Sequence, residues 1–101
     1  MYIRGWDTTI NLSNGEGQCV IIDDFNGFEI TQIITSPSDE SMLYTIQILN
    51  TDFNLIVFER VAQGKFNELI TIPSYGHNVF RVVNAVPSTG SVVLALRFRV
   101  P

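Results

Sequence analysis

Apolar and polar residues alternate along most of this chain, in short segments separated by clusters of turn-forming residues. One side of the last segment is apolar without interruption, at Val92, Leu94, Leu96, Phe98 and Val100. Because successive side chains of a β-strand point to opposite faces, a period of two predicts strands. Clusters of Gly, Pro, Asn and Asp favour turns and lie between these segments. We predict eight strands, over 6–12, 18–22, 28–35, 42–49, 54–61, 66–72, 78–84 and 90–100.

No window has a convincing helical stripe. Residues 53–62 come closest, but their β-branched residues and flanking turns favour a strand. Short strands at this spacing are typical of a β-sandwich. We predict a single all-β domain over 1–101, an antiparallel jelly roll, with a seven-stranded immunoglobulin-like sandwich as the alternative.

Several strands are apolar on both faces, although a sandwich strand normally has a polar outer face. Segments 42–49, 54–61 and 78–84 have apolar residues on both sides, and 90–100 adds Val93 and Ala95 opposite its core face. Such strands need cover on both faces. The loops are short, which favours cover by a neighbouring subunit. A jelly roll whose long loops cover the outer face is the alternative.

The N-terminal residues contain large apolar side chains. Tyr2, Ile3 and Trp6 precede the first turn, and chain ends usually fray unless they are tied down. Large aromatic side chains on a frayed end are unfavourable in water. Residues 1–6 are therefore either the first part of the first strand or an arm that docks on a neighbouring subunit.

Two arginines of the last strand lie on the same face as Val93 and Ala95. Arg97 and Arg99 either pair with acids of an adjacent strand or subunit, such as Glu59 or Glu68, or protect an edge strand from unwanted pairing. Together with the N-terminal residues they form the predicted subunit interface: Tyr2, Ile3, Trp6, Val93, Ala95, Arg97 and Arg99.

Composition favours self-association. The chain is 46% apolar and 16% charged, whereas soluble domains average ~25% charged residues.

The net charge of −4 and the lack of a basic stripe argue against nucleic-acid binding. No apolar run approaches the ~18 residues of a membrane span. The N-terminus lacks signal-peptide features, which predicts synthesis in the cytosol.

Chemistry-bearing residues are few. His77 and Ser74 lie in one loop without the context of a catalytic triad. Cys19, the only cysteine, is predicted to be a buried thiol, with an intermolecular disulfide as the alternative. One His and one Cys are too few for a structural zinc site. Segment 23–27 is rich in oxygen donors but lacks the spacing of a calcium-binding EF-hand loop. We expect no catalytic residue, no cofactor, no metal and no enzymatic activity.

A carbohydrate- or receptor-binding module is the main alternative to a structural subunit. Sugars stack on exposed aromatic rings flanked by hydrogen-bonding side chains. Trp6, Phe53 and Tyr75 lie in or beside predicted loops that also supply Asn, Asp and Gln. These three aromatics form the predicted ligand platform under this alternative.

The succession of strands over 6–100, seen best in 43–49, 55–58 and 90–96, resembles the small jelly-roll proteins that build or decorate virions and extracellular fibres. The resemblance implies a non-enzymatic structural subunit, most closely a phage head-decoration (cement) protein. Its expected partners are copies of itself and a larger protein shell or fibre. Its expected location is a virion or another extracellular assembly. The single cysteine differs from disulfide-linked fibre families, so no covalent fibre is implied.

Overall fold

The computed structural model describes residues 2–21 and 26–100, with only the backbone of Tyr2. These described residues contain eight β-strands: Tyr2–Leu12 (β1), Gly17–Ile21 (β2), Glu29–Pro37 (β3), Leu43–Asn50 (β4), Leu55–Gln63 (β5), Phe66–Pro73 (β6), Asn78–Val86 (β7) and Gly90–Val100 (β8). Each predicted strand is confirmed. The largest difference at an end is at β1, which begins at Tyr2 rather than at Trp6.

The strands form two four-stranded antiparallel sheets. The first sheet has the order β1-β8-β3-β6 and the second has the order β2-β7-β4-β5. The chain pairs as a nested hairpin, because β4 pairs with β5, β3 with β6, β2 with β7 and β1 with β8. Wrapping this hairpin over two sheets gives the eight-stranded jelly roll. The predicted fold class is confirmed, and the seven-stranded alternative is not observed.

The core lies between the two sheets and is filled by alternate residues of the strands. The inward side of β8 is fully buried from Val92 to Phe98, as its apolar alternation predicts. Partly buried Trp6 and Cys19 pack against the edge of this core. The largest completely buried side chains include Tyr44, Phe80, Phe98, Ile33, Ile46, Leu94 and Leu96.

One polar group is fully accommodated within the core. The Tyr44 hydroxyl lies 2.7 Å from the Thr35 hydroxyl and donates a hydrogen bond of 2.6 Å to the carbonyl oxygen of Gly64. Burial raises the pKa of Tyr44 above its ordinary value. The contact ties β4 to the turn between β5 and β6, where Gly64 has a φ of 65° that favours glycine.

The N-terminal residues belong to the first sheet. Tyr2 pairs with Val100 and the ladder continues to Leu12 opposite Gly90. Residues 2–6 therefore form the first part of β1 and do not form a separate arm. Among the described residues, no helix is long and apolar enough to cross a membrane.

Candidate assembly surface

The outer side of the second sheet is built from rows of side chains that cross its strands. The register places Val20, Val79 and Leu49 side by side in one row. Another row contains Val83, Thr45 and Val61. Their neighbours along the strands, such as Phe80, Val82, Ile46 and Ile48, are buried. The alternation of the strands therefore directs these rows away from the core.

A polar row crosses the sheet between the two apolar rows. Gln18, Arg81, Gln47 and Glu59 are paired in register across β2, β7, β4 and β5. Arg81 Nε donates a hydrogen bond of 2.9 Å to Gln47 Oε1, and Gln47 Nε2 donates one of 2.5 Å to Glu59 Oε2. Gln47 is only 8% exposed, although it lies on the outer side. The flanking charged side chains thus cover its amide and fix its orientation.

We call this surface the second-sheet face. It comprises the two apolar rows, the polar row and a third pair, Leu43 opposite Val86. Its apolar members remain accessible to solvent, including Val61 at 70%, Val86 at 66% and Val20 at 61% exposure. The predicted strands with two apolar sides are thus present, but none of the loops within 2–21 and 26–100 covers these exposed side chains. Large exposed apolar side chains grouped on one face with polar groups among them are typical of an interaction site.

β5 forms one border of this face and is an edge strand of the sheet. Leu55 and Ile56 are both more than two-fifths exposed, and the pairing with β4 shifts register between Ile48 and Leu49. Arg60 lies over the Phe58 ring and forms an ion pair of 3.0 Å with Glu68 of β6. A register shift and a charged pair at an edge both discourage uncontrolled edge-to-edge pairing. The second-sheet face, rather than the edge of β5, is therefore the more accessible apolar surface.

The predicted interface residues lie on the first sheet instead. Val93, Ala95, Arg97 and Arg99 share its outer side, as predicted, and Ile3 is opposite Arg99. Ile3 and Val93 are exposed, whereas Trp6 faces the core. The side chain of Tyr2 lies outside the described part of the chain. The structure therefore brings five of these seven side chains to one surface and separates Trp6 from them.

Both arginines of β8 are paired within the chain. Arg97 Nη1 lies 3.2 Å from Asp7 Oδ1, and Arg99 Nη1 lies 4.0 Å from Glu29 Oε1. The expectation that they guard an edge is wrong, because β8 lies between β1 and β3 in the middle of the sheet. Glu59 and Glu68 are not their partners, since these acids contact Gln47 and Arg60 instead. Polar and charged groups therefore occupy much of the first sheet's outer side.

A loop cluster at one end of the sandwich presents two exposed aromatics. Phe53 is 82% exposed in the β4–β5 loop and Tyr75 is 63% exposed in the β6–β7 loop. Asp52 joins these loops, because its carboxylate contacts His77 Nδ1 at 3.0 Å and accepts the His77 backbone N–H at 3.1 Å. These hydrogen bonds lower the pKa of the Asp52 carboxyl. Asn50 Nδ2 adds a bond of 3.1 Å to the Tyr75 carbonyl oxygen.

The structure separates the predicted platform residues. Phe53 and Tyr75 lie on neighbouring loops, whereas Trp6 is partly buried against the core and is not an exposed ring. Three of the five residues of the 23–27 segment considered for calcium lie outside the described residues. Within 2–21 and 26–100, no group of three or more acidic, His or Cys side chains is arranged to hold a metal ion.

Cys19 points toward the sandwich interior from β2, and burial raises the pKa of its thiol to about 11. A thiol with a pKa this high stays protonated near neutral pH and is a poor nucleophile. Cys19 is partly buried against the core rather than fully buried as predicted. This arrangement does not favour an intermolecular disulfide.

The sequence interpretation missed the polar row. Its signal is the presence of Gln47 and Arg81 within otherwise apolar strands. Without the register, nothing in the sequence shows that these two side chains and Glu59 are neighbours. The apolar rows were visible as strands with two apolar sides, but their assignment to one sheet required the topology.

Solved structures that resemble this fold include the following two. One is from "Bacillus endospore appendages form a novel family of disulfide-linked pili", with a TM-score of 0.53 and 14% identity, covering 98% of this chain and 89% of that chain. The other is the Yersinia pseudotuberculosis-derived mitogen, with a TM-score of 0.50 and 13% identity, covering 99% and 86%. No family model and no curated protein sequence matches this chain.

At these identities the likeness shows a shared fold. The predicted resemblance included subunits of extracellular fibres, and the appendage structure is one solved structure of that kind with a similar fold. Neither of these two structures is described as a phage decoration protein. That finer part of the resemblance stays a prediction.

Proposed function

We propose that this protein is a non-enzymatic structural subunit that assembles with copies of itself through the second-sheet face. The observation that carries the proposal is the exposure of the apolar side chains of Val20, Val61 and Val86, which no loop in the described part of the chain covers. Burial of apolar surface contributes about 25 cal/mol per Å². The gain offsets the loss of freedom on association when the two surfaces pack well.

The dimensions of the face indicate a moderate affinity. Four strands ~4.8 Å apart and about eight residues long have a flat footprint on the order of 500 Å². Stable interfaces bury roughly 800 Å² of accessible surface per partner. The relief of the side chains raises the accessible area above the flat footprint, but the interface is at the small end of the stable class even when most of the face is used. We therefore expect association to depend on concentration.

The biological setting that we propose is a virion, with the protein as a phage head-decoration (cement) subunit or a related structural protein, or another extracellular assembly. Support comes from the sequence resemblance and from the jelly-roll order, which viral capsid domains also use. The similarity in fold to an appendage pilin supports the more general role in assembly. In each setting the partners are copies of this chain and a larger shell or fibre.

Replacement of Val61 by Lys is expected to weaken self-association strongly. Val61 is 70% exposed, so the charged side chain is solvated in the monomer, whereas the assembled state would bury it against an apolar surface. We expect at least a tenfold weaker association by sedimentation velocity, with an unchanged β-rich circular dichroism spectrum.

The matched control is Val93→Lys, on the outer side of the first sheet. Val93 is 44% exposed and lies between Thr9 and Ser36, in more polar surroundings. This variant is expected to associate like the wild type. Loss of assembly in Val93→Lys but not in Val61→Lys would assign the interface to the first sheet and contradict the proposal.

The exposure of Phe53 and Tyr75 supports a second candidate function, a carbohydrate- or receptor-binding module. Their loops are joined through Asp52 and His77, which places hydrogen-bonding groups near both rings. Under this function, titration with a glycan panel shifts the NMR signals of these loops, and Tyr75→Ala weakens binding at least tenfold. Absence of any glycan-induced shift in the wild type would contradict it.

A further inference from the structure

We propose that the second-sheet face binds a second copy of this chain about a two-fold axis parallel to its strands, with Arg81 of each copy against the partner's Glu59. This inference rests on the proposed function and specifies the geometry of its interface. Three features support this geometry. They are the order of the charges across the sheet, the lack of an ion pair at Arg81 and Glu59 within the described residues, and the arrangement of the apolar rows.

The polar row has a positive and a negative side. Arg81 of β7 and Glu59 of β5 lie on either side of Gln47 of β4. A two-fold axis parallel to the strands, passing over Gln47, reverses the order of the row in the second copy. Each Arg81 then faces the partner's Glu59. A two-fold axis that lies parallel to the sheet but perpendicular to the strands, over the same row, keeps the order of its residues. Each Arg81 then faces the partner's Arg81, and such like-charge contacts are unfavourable at an interface.

Arg81 and Glu59 can each form an ion pair with a group outside the described residues. Within 2–21 and 26–100, the ion pairs join Arg60 to Glu68, His77 to Asp52, Arg97 to Asp7 and Arg99 to Glu29. Arg81 and Glu59 each bond to the neutral amide of Gln47 instead. Because a guanidinium has five N–H donors and a carboxylate accepts several hydrogen bonds, both retain capacity for an oppositely charged partner. Gln47 also holds both side chains in place.

The same axis superimposes apolar rows. Rotation about the strand direction preserves the height of each row along the strands. Leu49 therefore meets the partner's Leu49, and Val61 meets the partner's Val83. Packed sheets of this aligned kind lie ~10 Å apart with strand directions within about 30° of each other. The overlap covers β7, β4 and β5 of each copy, in which apolar side chains are buried on both sides of a charged row that complements itself, and β2 with Val20 lies at its margin.

Reversal of one charge at a time tests this geometry. Arg81→Glu and Glu59→Arg, each alone, place like charges opposite each other at both symmetric contacts. We expect each variant to associate at least tenfold more weakly than the wild type in sedimentation velocity. An equimolar mixture of the two variants restores opposite charges at both contacts. The mixture is therefore expected to form a mixed dimer, and the double variant Arg81→Glu/Glu59→Arg to form a homodimer.

Arg99→Glu is the matched control on the other sheet, and it is expected to dimerise like the wild type. Circular dichroism and thermal midpoints verify that every variant folds. Single variants that dimerise like the wild type, or a mixture that fails to dimerise, would overturn the two-fold pairing. If Val61→Lys still weakened association strongly in that case, the proposed function would stand with a different geometry. A wild type that remains monomeric at every concentration would overturn the two-fold pairing as well.

Discussion

Replacement of Phe80 by Ala is expected to lower the free energy of unfolding by about 3–5 kcal/mol, because it removes a large side chain from a site that cannot collapse. Phe80 is 0% exposed. It lies on β7, between Cys19 of β2 and Ile48 of β4, so strands on both sides hold the cavity open. Small domains have a total stability of about 5–15 kcal/mol. Urea unfolding followed by circular dichroism measures the loss.

Phe53→Ala provides the matched control, since it removes the same side chain from a position that is 82% exposed. Surface substitutions usually change stability by less than about 0.5 kcal/mol. Equal losses in the two variants would contradict the assignment of Phe80 to the core.

Replacement of Gly17 by Ala is expected to cost about 1–3 kcal/mol of stability or more, because no space exists for a methyl group. A Cβ at Gly17 would lie directly against the backbone carbonyl oxygen of Asn11 and 2.7 Å from Ile10 Cγ2. Both atoms belong to β1, whose ladder with β8 holds it in place. Thermal unfolding of the variant measures the effect.

Gly5→Ala is the control for this prediction. A Cβ at Gly5 would lie 2.9 Å from Arg97 Nη1, the mobile end of a long side chain that can move away. The expected loss of stability is therefore much smaller. A loss in Gly17→Ala no larger than in Gly5→Ala would contradict the close approach of β1 and β2.

Most of the fold could be predicted from the sequence, because strand position depends on local features. The apolar alternation from Val92 to Phe98 identifies the inward side of β8 without any knowledge of its neighbours. Gly64 marks a turn by its preference for positive φ, and the observed turn uses that preference. Such signals act within a few residues, so the sequence contains them in full.

The partners of each strand were harder to predict, because pairing depends on contacts far apart in sequence. Arg97 contacts Asp7, which lies 90 residues away, and no local pattern indicates that contact. The position of β8 in the middle of the sheet could not be predicted either, because it depends on pairing with strands that are distant in sequence. Of the two roles predicted for its arginines, pairing with acids of adjacent strands is observed, whereas protection of an edge strand is not.

Part of the candidate surface could be predicted from the sequence. Apolar residues on both sides of the strands in 42–49 and 54–61 predicted apolar outer sides, and the structure exposes such residues at Leu43 and Val61. The predicted interface, with Val93 and Ala95, lies on the first sheet and stays a prediction, whereas the proposed assembly surface lies on the second sheet. The difference arises because the register alone determines which outward residues of separate strands become neighbours.

The most direct test of self-association is the solution mass of the wild-type protein by sedimentation velocity, over a concentration series from micromolar to millimolar. We predict a mass that rises with concentration from the 11.3 kDa of one chain toward twice that value or more. A mass that stays at 11.3 kDa at every concentration would contradict self-association through the second-sheet face.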